Sequence, residues 1–230
     1  IMPARFIRVA EDSGLIVPLG RWVLERACRQ LRAWHEGGFD DVGVAINVSA
    51  HQLLRESFAD DVGEMLHRFS LRPDAIELEL TESALMENVE RVLGTLKALK
   101  TIGVRLTLDD FGTGYSSLNY LRRLPIDKLK IDRSFLAEVS SGSRDAAIAR
   151  ALIAMGHQLQ LQVLAEGVEN EDQLGYLRRN HCDQFQGNLL SGAVAADDVE
   201  RLLRQRYLRP ESVEATRPDR VLLVVDDEEN

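Results

Sequence analysis

No stretch of this chain approaches the ~20 consecutive apolar residues that a bilayer-spanning helix needs. Its first residues have neither the basic start nor the apolar run of a secretory signal. Together these absences predict a cytoplasmic chain with no membrane segment. Cysteine is nearly missing too: Cys28 and Cys182 are the two in 230 residues, far apart and without a CxxC partner. That excludes a disulfide framework and a thiolate zinc site, and both are read as buried small hydrophobes. Positive charge is short: 28 Lys and Arg against 37 Asp and Glu leave a formal charge of −9. This is the wrong sign for a surface that neutralises the phosphates of long nucleic acid. The five histidines, His35, His51, His67, His157 and His181, have no short ligand spacing and are read as surface or helix residues. What remains is a globular balance, 45% hydrophobic and 28% charged, with an acid excess that matters only if several carboxylates meet at one place.

Short apolar runs alternate with longer segments of helical period, which is the signature of repeated βα units and a parallel sheet. Trp22, Val23, Ala27, Leu31 and Trp34 recur at three- and four-residue spacing and predict a helix over 19–35, stopped by Gly37-Gly38. Strands are predicted over 42–48, 76–81, 104–109, 127–131 and 162–165, and further helices over 58–69, 89–102, 146–159, 171–179 and 199–207. These strands end on Asn47, Glu79, Asp109 with Asp110, Lys130, and then Glu166. A (β/α)₈ barrel builds its active site from the C-terminal ends of different strands, whereas an open doubly wound sheet gathers ligands only at a switch point. Five contributing strands favour the barrel. Side-chain alternation along a strand points Glu77 and Glu79 inward, and likewise Arg105, Thr107 and Asp109, and Lys128 with Lys130. Acids and cations then share one lumen.

The run Asp109-Asp110-Phe111-Gly112-Thr113-Gly114 carries the chemistry. Standing alone it would be an acidic turn with glycines for geometry. Asn47, Glu79 and Glu166 reach the same rim by the strand count, so adjacent carboxylates there can serve two ions, one of them bridging. An all-oxygen donor set selects hard ions such as Mg²⁺ or Mn²⁺. Lys130 among these acids is either a structural ion-pair partner or the holder of an attacking water, and both readings stand. The kinase triplet spelled by Asp110-Phe111-Gly112 lacks its His-Arg-Asp loop, its glycine-rich phosphate loop and a Walker lysine, which removes ATP chemistry.

Glu79-Leu80-Thr81-Glu82, the run Asp109 to Leu118, Leu129-Lys130-Ile131-Asp132, Glu166-Gly167-Val168-Glu169 and Gln186-Gly187 resemble, in order and spacing, the EAL-type cyclic di-GMP phosphodiesterases. The opening Pro3 to Leu24 resembles them as well, and the likeness runs to about Leu203. The resemblance implies a modified TIM-type (β/α)₈ barrel that linearises cyclic di-GMP to pGpG. It implies that Asn47, Glu79, Asp109, Asp110 and Glu166 hold two Mg²⁺ or Mn²⁺ ions, with Asp109 between them. Lys130 then orients the water, and Glu166 also serves as general base. Gln186 lies near the substrate or a metal-bound water, while Glu82, Thr113 and Glu169 support the loop that organises the site and a homodimer contact.

Some family features are missing. The Glu-Ala-Leu signature, its following arginine and the first barrel strands would precede Ile1, so the phosphodiesterase domain (1–208) is expected to be incomplete at its start. Where the family reads Gln-Gly-Tyr, then a basic residue and proline, this chain has Gln186-Gly187-Asn188 and then Ser191-Gly192-Ala193. Residues 209–220 are polar with two prolines and read as a linker. Residues 221–230 read as a buried strand ending in acids, either the first strand of a receiver domain or a tail, so the parent protein would carry other signalling domains. Two functions follow: a cyclic di-GMP hydrolase, or a catalytically degenerate domain that binds the dinucleotide or a protein partner as a sensor.

Overall fold

In chain order the elements are α1 (Pro3–Asp12), α2 (Ile16–Glu36), β1 (Gly43–Val48), α3 (Ala50–Leu53), α4 (Phe58–Arg68), β2 (Ile76–Thr81), α5 (Glu82–Met86), α6 (Val89–Ile102), β3 (Arg105–Phe111), β4 (Lys128–Ile131), α7 (Arg144–Gln158), β5 (Gln162–Ala165), α8 (Glu171–Arg179), β6 (Gln184–Phe185), α9 (Ala196–Arg204) and β7 (Leu222–Val225). They come from a computed structural model that describes residues 3–86, 89–112, 121–137, 139, 143–204 and 222–225. The chain forms two compact units, one up to Leu106 together with the C-terminal strand, the other beginning at Thr107.

In the first unit, β1 is the middle strand. It pairs in parallel with β2, from Val44↔Ile76 to Val48↔Leu80, and on its other side with β7, from Gly43↔Leu222 to Ile46↔Val225. Both edges of β1 are therefore hydrogen-bonded. Parallel strands covered on both faces read as continuous apolar runs, and Val44, Ala45, Ile46, Ile76, Leu78 and Leu80 are all buried. Helix α2 packs on this layer through Leu24, Ala27, Cys28, Leu31 and Trp34; of the positions expected on that face, Trp22 is instead 60% exposed and Val23 half-buried. It begins three residues before the expected Leu19, after Gly14 at φ 73° breaks it from α1.

In the second unit, β3, β4, β5 and β6 run parallel in that order. Its core is Ile131, Leu136, Ala149, Ile153, Val163, Val168, Leu174 and Leu177, supplied by the strands and by α7 and α8. Each of these helices starts at a side-chain cap. Ser143 accepts from the Ala146 N–H ahead of α7, and Asn170 and Gln173 form a reciprocal capping box ahead of α8. Gly156 lets α7 lie close on β5, since a Cβ there would fall 2.4 Å from Val163 Cγ2.

Strands β2 and β5 and helices α6 and α8 have the bounds read from the sequence. Strand β3 runs on to Phe111 instead of ending at Asp109, and α9 starts at Ala196 instead of Val199. The expected end of that helix lies outside the described residues. Strand β6 was not foreseen, because two residues carry no readable period. No helix among the described residues is long and apolar enough to cross a membrane.

Candidate metal and catalytic site

In the first unit, Asn47 and Glu79 are direct partners across the β1–β2 ladder, so their side chains stand side by side on one face. Glu79 is 1% exposed and Asn47 half-buried. The chain leaves β1 just after Asn47 because Ser49 caps α3. The Ser49 hydroxyl accepts from the Gln52 N–H, and Gln52 Oε1 accepts in return from the Ser49 N–H. Gln52 is buried and presses on α2 where a Cβ on Gly20 would lie 2.1 Å from Gln52 Nε2. A side chain at Gly20 would have to displace the Gln52 amide. Glu82, the first residue of α5, is buried, and its Oε2 has no hydrogen-bond partner among the described residues. Thr113 lies outside the described residues.

In the second unit, the end of β3 departs from a regular ladder. Leu108 is opposite Leu129 and Phe111 is opposite Ile131, so three steps on β3 match two on β4. One residue is in excess, a bulge. Asp110 absorbs it with φ at 55°, a conformation that Asp enters more readily than most residues. In a regular strand Asp109 and Asp110 would point to opposite faces. Here one carboxylate atom each of Asp109, Asp110 and Glu166 all fall within 4.8 Å of one another. The Asp110 N–H turns back to donate to Asp109 Oδ1 at 2.9 Å.

Lys130 neutralises part of this cluster. It is 1% exposed, and its Nζ lies 2.9 Å from Asp109 Oδ2 and 2.5 Å from Glu166 Oε1. A buried lysine persists where its partners offset the desolvation of both charges. Gln186, just after β6, also donates to Glu166 Oε1, through Nε2 at 2.9 Å. Glu169 has an exposed side chain, while its N–H is held by Gln173 Oε1 at 2.7 Å. Gln173 itself is buried and donates to the Leu136 carbonyl at 3.0 Å, tying the β5 loop to the segment after β4. The Asn170-x-x-Gln173 capping pattern was the signal for it in the sequence.

Three clustered carboxylate oxygens make a donor set that fits a hard cation: all are oxygen, and among the described residues no histidine or cysteine joins them, while Lys130 supplies a positive charge beside them and not a ligand. His157 instead pairs with Asp183 at 3.0 Å. Cys28 is buried and Cys182 half-buried, and burial raises both thiols from 9.0 to about 12.

The sequence profile of the EAL domain matches residues 1–193. The chain belongs to the EAL domain family. Among proteins similar to this EAL chain, the cyclic di-GMP phosphodiesterase NbdA of Pseudomonas aeruginosa is 48% identical over 202 residues, covering 88% of the chain and 26% of NbdA. The bifunctional diguanylate cyclase/cyclic di-GMP phosphodiesterase MucR of the same organism is 46% identical, covering 86% of the chain and 29% of MucR. The chain thus spans about a quarter of the length of these relatives. Of solved structures, the PaMucR phosphodiesterase in complex with c-di-GMP superposes with a TM-score of 0.82 at 45% identity, covering 86% of this chain and 87% of that one. The EAL domain of Mycobacterium smegmatis DcpA gives a TM-score of 0.77 at 41% identity, covering 81% and 84%. The parallel α/β fold described above is that of the EAL domains.

Proposed function

We propose that this EAL chain carries the hydrolytic site of a cyclic di-GMP phosphodiesterase and opens the cyclic dinucleotide to linear pGpG. Water adds its oxygen to one phosphorus, the bond from that phosphorus to a ribose 3′-oxygen breaks, and the 3′-oxygen leaves as a hydroxyl with one proton from the water. The observation that carries this reading is the convergence of Asp109, Asp110 and Glu166 around Lys130, in a chain 48% identical to a phosphodiesterase of that name.

In this reading Asn47, Glu79, Asp109, Asp110 and Glu166 hold two divalent ions, Mg²⁺ or Mn²⁺. Such ions supply charge neutralisation at the phosphoryl oxygens and a more acidic water. Asp109 sits centrally, with one oxygen on Lys130 and the other on its neighbour's N–H. Lys130 offers the attacking water a fixed hydrogen-bond donor and offsets negative charge as it builds on the phosphate. Glu166 accepts the proton that the water sheds. Glu82, Thr113 and Glu169 support the loop beside the site. The domain runs over 1–208 with a linker at 209–220 and a receiver-like strand or tail after it. It acts in the cytoplasm as a homodimer within a longer signalling protein.

A sensor that binds the dinucleotide without cleaving it is favoured by Asn188, Gly192 and Ala193, which replace the usual aromatic, basic and proline features. All three are exposed, and the backbone around them stays bonded: the Leu189 N–H donates to the Val168 carbonyl at 2.9 Å. Incubation with cyclic di-GMP and Mg²⁺ or Mn²⁺ should yield pGpG on chromatography, with little turnover in Ca²⁺, whose coordination is larger and looser, and none in EDTA. Binding without pGpG supports the sensor, and undiminished turnover in EDTA overturns the metal assignment.

A further inference from the structure

The segment after β6 holds the residue whose geometry says most beyond the proposed chemistry. Gln186 is fixed before its side chain does anything: its N–H donates to the Ala165 carbonyl at 2.9 Å, and its carbonyl accepts from the Val168 N–H at 3.0 Å. These are the residues on either side of Glu166-Gly167. Gly187 closes the clamp. Its φ is 152°, and a Cβ there would lie 2.3 Å from both N and O of Val168, so the two backbones meet where no side chain fits. From this anchor the Gln186 amide reaches Glu166 Oε1, the same oxygen that Lys130 holds.

Both donors therefore fall on one oxygen of Glu166. A carboxylate held this way has little freedom to rotate. The other end of the amide, Gln186 Oε1, is buried and has no hydrogen-bond partner among the described residues. An amide pointed the other way would set oxygen against oxygen, so the acid fixes its orientation.

We infer that Gln186 is a positioning residue that acts through Glu166, its amide fixing the rotation of that carboxylate, and is not primarily a contact to the dinucleotide. The inference rests on the reading of Glu166 as a metal ligand and base. Partners that orient a ligating carboxylate typically govern metal affinity or activity by ~10–100-fold when removed.

The test uses Gln186→Leu, which removes the donor at similar volume, with Gln186→Met as a second variant should the branched side chain disturb folding, as judged by the melting midpoint. Mn²⁺ binding is read by the loss of the free-ion electron paramagnetic resonance signal, with no substrate present. The variant should bind Mn²⁺ on the order of tenfold more weakly and lose kcat by a similar factor, while KM for cyclic di-GMP at saturating Mn²⁺ stays within about twofold. A KM raised about tenfold with Mn²⁺ binding and kcat intact would make Gln186 a substrate contact and overturn the inference, as would no change in any of these. If the unmodified chain binds Mn²⁺ but forms no pGpG, the proposed hydrolysis fails, yet the Mn²⁺ measurement still decides the role of Gln186.

Discussion

The two sets of candidate residues, one in each compact unit, are built in different ways. On β1 and β2 a regular ladder delivers one side chain per strand, and Asn47 and Glu79 arrive side by side because their strands are in register. On β3 a bulge delivers two, Asp109 and Asp110, with a backbone that a regular strand would not adopt. The first arrangement tolerates exchange of one side chain without touching the backbone. The second ties charge density to conformation: the pair of acids exists only while Asp110 stays at positive φ.

The largest effect should come from the bulged strand. Asp109→Asn keeps the shape and removes the charge, and turnover should fall on the order of 10³-fold or more, far beyond the loss in melting midpoint that follows from weakening the Lys130 pair. The comparison breaks if Asn47→Ala, on the regular ladder, costs as much in the same pGpG assay. Next is Lys130→Met. It leaves Asp109 and Glu166 close together without their cation, which should destabilise the metal-free protein by ~3 kcal/mol in denaturant titration. Added Mn²⁺ should then raise the melting midpoint more in the variant than in the parent.

A smaller change isolates the backbone. Asp110→Asn and Asp110→Val both remove the carboxylate, but a β-branched residue at φ 55° should cost ~1–2 kcal/mol more than asparagine. Equal melting curves would show that the bulge does not need its left-handed residue. The smallest effect lies away from the site. With Cys28 raised to about 12 by burial and by Glu25, and Cys182 to about 12 by burial, partly opposed by backbone N–H donors, the folded chain favours the protonated thiols. That stability is complete below pH ~9 and is lost as pH rises toward 12. Both thiols should resist iodoacetamide at pH 8 and react promptly in denaturant.

Much of this was legible beforehand. The strand ends carrying Asn47, Glu79, Asp109, Lys130 and Glu166 follow from predicted strands of four to seven residues, and the buried Lys128 and Lys130 follow from alternation along β4. The adjacent-acid motif already places Asp110 with Asp109, but the bulge that turns it there is not legible in the sequence. Alternation assumes one residue per rung, and nothing local in Asp109-Asp110-Phe111 announces an extra one except a residue type that tolerates positive φ and a glycine two positions later, itself at φ 98°. Strand β6 was hidden for another reason: it is two residues long and held by pairing to β5. The contact from Gln186 to Glu166 depends on that pairing and so was hidden with it.

The bulge also bears on how related chains should be compared. Because β3 has one residue more than its partner between Leu108 and Phe111, deleting a single residue there would restore a regular ladder and leave every strand downstream in place. Such a chain would keep its fold and lose an acid. A one-residue gap at this column of an alignment therefore reads as the retirement of a site, not as a shortened loop, even where all the surrounding letters agree.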